Sequence, residues 1–128
     1  MNEAAMQAAA LWVGLNVGLM FMLAMNVVRY RRMGEAADPA RLEGAIRAHG
    51  NNTEYVPVIL LGMMLLAAMG VSANSIHILG GGLLVCRVLH ADGMQRDGVP
   101  VSRIIGNIGT WIVMLAVVIA LVSRGLPL

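Results

Sequence analysis

The segment Ala45–Pro57, AIRAHGNNTEYVP, joins a row of polar side chains to the start of a long apolar run. Arg47, Asn51 and Glu54 are spaced i, i+4 and i+7, so a helix places them on one narrow face. Tyr55 lies at the edge of that face. A guanidinium, an amide and a carboxylate in one row suit a ligand that carries both a carboxylate and an ammonium group. Because polar groups that enter a membrane span are costly, we interpret this row as a candidate binding site.

The composition indicates an integral membrane protein. Of the 128 residues, 59% are hydrophobic and 12% are charged, which is about half the charged fraction usual in soluble domains. The net charge of +2 is too small for a protein that reads nucleic acid. The single cysteine, Cys86, provides no disulfide framework, and no two histidines have the spacing of a zinc site, so no metal is predicted. We therefore expect the lipid bilayer to be the main partner of the chain.

Four apolar stretches predict an all-α, integral membrane four-helix bundle that uses the whole chain as one domain. The predicted spans are residues 4–28, 46–69, 75–90 and 103–122. Helix 2 is expected to begin near Pro39, outside the membrane core, because Asp38 is a suitable cap and proline favours the first helical position. Residues 70–75 are predicted to form a short turn and residues 91–102 a polar loop. The glycines at 80–82, 106 and 109 predict close helix contacts.

The arginines predict the orientation of the bundle. Eight of the nine flank two loops that a four-span topology places on the same side of the membrane: Arg29, Arg31, Arg32, Arg41, Arg47, Arg87, Arg96 and Arg103. Positively charged loops are retained on the cytoplasmic side. Both polar loops are thus expected in the cytoplasm and both termini outside.

The polar side chains gather at the level of these two loops. Arg31, Arg32 and Arg41 are interpreted as contacts to lipid headgroups, which arginines at span ends commonly make. His90 lies one helical turn from Arg87 and is a candidate site residue. His49 and His77 are expected to be structural.

Two segments resemble a known family. RAHGNNTEYVP, beginning at Arg47, resembles the helix 2 signature of the MAPEG family, the membrane-associated proteins in eicosanoid and glutathione metabolism. Arg87-Val-Leu-His90, followed by Gly93 and Arg103, resembles that family's helix 3–4 region. The likeness covers nearly the whole chain and is to the short bacterial branch, which implies a location in a bacterial inner membrane.

The resemblance implies a homotrimer that binds glutathione as a co-substrate between neighbouring subunits. It further implies a transferase or peroxidase-like activity, in which the thiolate reacts with a small lipophilic electrophile that arrives from the bilayer. By position, the glutathione-contacting residues are Arg29, Arg47, Asn51, Glu54 and Tyr55. Arg103 matches the arginine proposed to stabilise the thiolate, and His90 matches a position held by tyrosine or histidine.

This chain departs from the family pattern at three positions. Asp92 and Met94 stand where relatives often have aromatic residues, and Gly50 stands where one branch has an arginine. These differences are compatible with weak binding or with another thiol.

Two other functions remain open. A small proton-coupled exporter is compatible with four short spans and one membrane carboxylate, Glu54, although Glu54 lies near the edge of its span and two turns from Arg47. A non-catalytic structural or regulatory membrane protein with the same fold is the second alternative.

Overall fold

The computed structural model describes residues 2–127, and in this range the chain is all-helical, with no strand. The four α-helices are α1 (Glu3–Met33), α2 (Pro39–Ala68), α3 (Ala73–Met94) and α4 (Val101–Gly125). A single 3-10 turn, Gly34–Ala36, follows α1. The α1–α2 and α3–α4 connections lie at the same end of the bundle, which we call the two-loop end. The all-helical prediction is confirmed.

Side-chain caps begin the first three helices. Asn2 accepts a hydrogen bond from the Ala5 amide, and Asp38 accepts one from the Ala40 amide at 2.9 Å, with Pro39 in the first turn. The predicted start of helix 2 is therefore confirmed. Ser72 caps α3 through the Ser75 amide, so this helix begins at Ala73, two residues before the predicted span.

The loop between α3 and α4 is much shorter than predicted. Residues 91–102 were expected to form a loop, but α3 continues to Met94 and α4 begins at Val101. An ion pair between Asp92 and Arg96 at 2.8 Å stabilises the end of α3, because the two side chains are four residues apart. Gly93, which lies in the predicted loop, is buried against α4: a Cβ atom there would lie 2.5 Å from the Arg103 amide nitrogen.

Glycines allow the helices to pack closely within one chain. A side chain on Gly80 would overlap Trp12 of α1, and one on Gly106 would lie 2.5 Å from the Cys86 carbonyl oxygen of α3. Trp12 also donates a hydrogen bond from Nε1 to Nδ1 of His77 at 3.0 Å. The predicted glycine contacts and the structural role of His77 agree with this packing.

Within the described part of the chain, two helices are long and apolar enough to cross a membrane: α1, taken together with the turn that follows it, and α4. In their most apolar stretches only 22% and 17% of the residues are buried, whereas the core helix of a soluble protein is mostly buried. Large apolar side chains accordingly point outward, as at Phe21 and Ile112, each 63% exposed. Spans in α2 and α3 stay predictions, since neither helix meets the same criterion.

Candidate functional site

A cavity of about 630 Å³ opens between α2, α3 and α4 near the two-loop end. This volume is typical of pockets that bind small molecules. The wall comes from all three helices and from the α3–α4 loop: Arg47, Gly50, Asn51, Glu54, Tyr55, His90, Met94, Val99, Arg103, Ile104, Asn107, Ile108 and Trp111.

The row of polar residues on α2 forms one wall of this cavity. Arg47, Asn51 and Glu54 line it together with Tyr55, because the i, i+4, i+7 spacing directs them to one face of the helix. Their roles in binding stay predictions. His49 does not line this cavity. It lies at a separate cavity of about 300 Å³ between α1 and α2.

Arg103 and Glu54 bring opposite charges to the cavity and have no ion pair within residues 2–127. Arg103 is half-buried and begins the α4 side of the cavity. Asp97, in the loop before α4, pairs with Arg41 at 3.6 Å and not with Arg103. Both free charges are therefore available to a ligand.

Arg47 is less free than Arg103. Its guanidinium lies 3.5 Å from the Glu43 carboxylate, and its side chain is 60% exposed. An exposed pair of this kind contributes little to stability, so a ligand carboxylate can compete for the guanidinium.

Arg29 does not line the cavity. It is exposed on α1, and its guanidinium lies 4.9 Å from the centre of the Tyr30 ring. A single chain therefore does not bring Arg29 together with the other predicted site residues. Its role depends on the predicted subunit interface, which stays a prediction.

Behind the wall of the cavity lies a polar network centred on Arg87, which was not among the predicted site residues. Arg87 is fully buried, with 0% exposure. It donates from Nε to Oδ1 of Asn52 at 3.1 Å and from an Nη atom to Oδ1 of Asn51 at 2.6 Å. It also approaches the Thr110 hydroxyl at 3.4 Å and Nδ1 of His90 at 3.3 Å. The available signal was an arginine one turn before His90 inside an apolar segment.

The contact with Arg87 determines the protonation of His90. A guanidinium has only donors, so Nδ1 of His90 must accept the hydrogen bond and the proton of the neutral ring lies on Nε2. His90 is therefore a hydrogen-bond donor through Nε2 and not a cation in this arrangement.

Gln95 connects the α3–α4 loop to α1 and α2. Its Oε1 accepts a hydrogen bond from Asn26 of α1 at 2.5 Å, and its backbone carbonyl accepts one from Arg41 of α2. Asn26 therefore helps to position this loop. In the same loop, hydrogen bonds to the Asp92 carboxylate raise the pKa of Arg96.

Among the side chains of residues 2–127, no group of three or more His, Cys, Asp or Glu is placed to hold a metal ion.

Comparison with known proteins identifies the family. The MAPEG family model matches residues 9–123, which is most of the chain. The chain belongs to the MAPEG family. It is 31% identical over 116 residues to the inner membrane protein YecN of Escherichia coli K12, an alignment that covers 88% of each chain. The protein of the same name from Escherichia coli O6:H1, strain CFT073, gives the same values. No solved structure matches this chain.

The family and the outward-facing apolar helices together make this chain an integral membrane protein. The suspected resemblance is confirmed.

Proposed function

We propose that this MAPEG protein binds glutathione, or a closely related thiol, and presents its thiolate to a lipophilic electrophile. The observation that carries the proposal is the charge pattern of the cavity, in which Arg103 and Glu54 lack ion-pair partners within the described chain and Arg47 has only an exposed one. Glutathione has two carboxylates, one ammonium group and one thiol. Guanidinium groups bind carboxylates with paired hydrogen bonds, and a carboxylate binds the ammonium group.

The opposite wall suits an apolar second substrate. Ile104, Ile108 and Trp111 follow one face of α4 and are 46%, 47% and 46% exposed. An electrophile dissolved in the bilayer can thus reach the cavity along α4 without passing through water.

The proposed chemistry needs no protein nucleophile. The bound thiol releases its proton to water, and the sulfur then forms a bond to an electrophilic carbon. A leaving group departs with the bonding electron pair, or the electrons move onto the conjugated oxygen of an unsaturated carbonyl compound, which is then protonated. With a hydroperoxide, the thiolate attacks the terminal oxygen, the O–O bond breaks, and the alkoxide that leaves takes a proton from water to become an alcohol. A second thiol then converts the sulfenic acid to a disulfide and water.

We further propose that the protein forms a homotrimer in the inner membrane, with its two loops in the cytoplasm and its termini outside. In such an assembly Arg29 of one subunit approaches the cavity of the next. The family resemblance and the separation of Arg29 from the cavity of its own chain support this arrangement.

Calorimetry and thermal unfolding in detergent test the proposal directly. We expect glutathione to bind and to stabilise the protein, and S-methylglutathione to bind without supporting turnover. Glu54→Gln should weaken the binding of both, while Glu35→Gln, which removes an exposed carboxylate outside the cavity, should not. If no thiol stabilised the protein, the proposal would be wrong and a non-catalytic role would be favoured. Proton-driven transport by reconstituted protein that is lost in Glu54→Gln would favour the exporter.

A further inference from the structure

Arg87 places a positive charge inside the bundle without a negative partner. All four of its side-chain hydrogen-bond partners within residues 2–127 are neutral: Asn51, Asn52, His90 and Thr110. No carboxylate of the described chain lies within 4.0 Å of its guanidinium. Burial of a charge is unfavourable unless another charge compensates it. A bound anion nearby would supply the missing counter-charge.

Two of these partners connect Arg87 to the cavity. Asn51 and His90 both line it, and Arg87 binds the acceptor atom of each. Because Arg87 can only donate, Oδ1 of Asn51 and Nδ1 of His90 must be those acceptors. The remaining polar atoms are two donors, Nδ2 of Asn51 and Nε2 of His90, and neither has a hydrogen-bond partner within residues 2–127.

We propose that Asn51 and His90, held by the buried charge of Arg87, form a cradle for a sulfur anion in the cavity. The inference rests on the proposed function and identifies the part of the ligand that this end of the cavity receives. Arg87 is a positioning residue: it orients the two N–H donors and adds a fixed positive charge behind them. Oriented donors in a site shielded from water stabilise an anion without reorganisation when the charge develops.

The dependence on salt concentration distinguishes the contribution of Arg87 to thiolate stability from that of Arg103. Exposed charges are screened over about 8 Å at physiological ionic strength, whereas buried charges are screened much less. Arg103 is half-buried and Arg87 is fully buried. The contribution of Arg87 to thiolate stability should therefore persist in high salt.

The first experiment titrates the thiol of glutathione bound to the wild-type protein, by thiolate absorbance, at low and at high salt. A free thiol has a pKa of about 8.5, and we expect the bound thiol to retain a decrease of about one pH unit in high salt. A bound thiol that returns to the free value in high salt would overturn the proposal. This measurement needs no variant.

The second experiment compares Arg87→Gln with Arg87→Lys. The glutamine variant should raise the pKa of the bound thiol by about one unit or more. The lysine variant should restore part of that decrease, since it retains the charge, but it should bind glutathione more weakly because an ammonium group cannot hold two acceptors as a planar fork does. Arg124→Gln is the matched control: it removes an exposed arginine near the C-terminal end of α4, outside the cavity, and should leave the titration unchanged.

S-methylglutathione distinguishes a sulfur anion from a carboxylate. It keeps both carboxylates but cannot form a thiolate. If Arg87→Gln weakened the binding of S-methylglutathione and of glutathione equally at high pH, the cradle would hold a carboxylate and the proposal would be wrong.

A third experiment tests the cradle without glutathione. Gly50 lines the cavity, and a Cβ atom there meets nothing within 4 Å, so Gly50→Cys in a Cys86→Ala background places a reporter thiol at the site. The pH dependence of its alkylation rate should show a lowered, salt-resistant pKa that Arg87→Gln raises. An unchanged reporter pKa in Arg87→Gln would overturn the cradle. If wild-type protein bound no glutathione while the reporter responded as expected, the proposed function would fail and the anion cradle would stand.

Discussion

Two arginines line the cavity, Arg47 and Arg103, and only Arg103 has no ion-pair partner among residues 2–127. Replacing Arg103 by leucine removes this unpaired positive charge. We expect glutathione to bind this variant at high pH with nearly wild-type affinity. Its thiol, however, should ionise at higher pH than in the wild-type protein. The physical reason is that a guanidinium remains charged at every accessible pH and favours the thiolate over the thiol.

The magnitude follows from the position of Arg103. Two unit charges 4 Å apart interact by about 4 kcal/mol at an effective dielectric constant of about 20. Because Arg103 is half-exposed, water and salt weaken its effect, and we take about a third of that value, ~1.4 kcal/mol. This energy corresponds to about one pH unit in the pKa of the thiol.

The predicted loss of turnover depends on pH. If two cations each lower the pKa of the thiol by about one unit, it is about 6.5 in the wild-type protein and about 7.5 in Arg103→Leu. The thiolate fraction then falls about threefold at pH 7 and about eightfold at pH 6, while the two proteins converge above about pH 9. Turnover with a saturating electrophile, together with thiolate absorbance, measures this profile.

The controls separate the cavity from general surface charge. Arg103→Lys should retain much of the decrease in pKa. Arg96→Leu should match the wild-type protein, because Arg96 is exposed, pairs with Asp92 and does not line the larger cavity. The reasoning would be refuted if the bound thiol titrated identically in Arg103→Leu and wild type. Arg103 would then act only as a membrane anchor.

Three further predictions concern the ligand, the histidine and the packing. Glu54→Gln should weaken the binding of glutathione by about 1–3 kcal/mol in calorimetry, since the ammonium group loses a charged acceptor. Equal affinity of the variant and the wild-type protein would mean that the ammonium group binds elsewhere. His90→Gln retains an N–H donor and an acceptor, so it should keep more activity than His90→Phe; equal losses would argue against a donor role. Gly80→Leu should destabilise the isolated chain in thermal unfolding by overlap with Trp12, whereas Gly14→Leu, with nothing near its Cβ position, should not.

The sequence predicted those features that depend on local spacing and on composition. The polar face of α2 follows from the helical repeat alone, and the start of the helix at Pro39 follows from the chemistry of Asp38 as a cap. The all-helical bundle follows from the apolar stretches. In each case the decisive interactions lie within one or two turns of the same helix.

The sequence did not predict features that depend on contacts between helices. Asp92 and Gly93 have low helix propensity and therefore suggested a loop, but Gly93 packs on the backbone of α4. Tertiary packing thus extends α3 by one turn. This extension places Met94 in the wall of the cavity and shortens the loop that contributes Val99 to the same wall.

The same distinction explains why Arg87 was not predicted as a site residue. An arginine near the end of a span is ordinarily expected to extend toward lipid headgroups, and His90 one turn later is only a weak local indication of another role. Its burial depends on acceptors from two other helices, Asn51 and Asn52 of α2 and Thr110 of α4. Since Asn51 also faces the cavity, one amide joins the interior of the bundle to the site. The structure thereby changes the interpretation of Asn51 from a simple ligand contact to the link between a buried charge and the ligand.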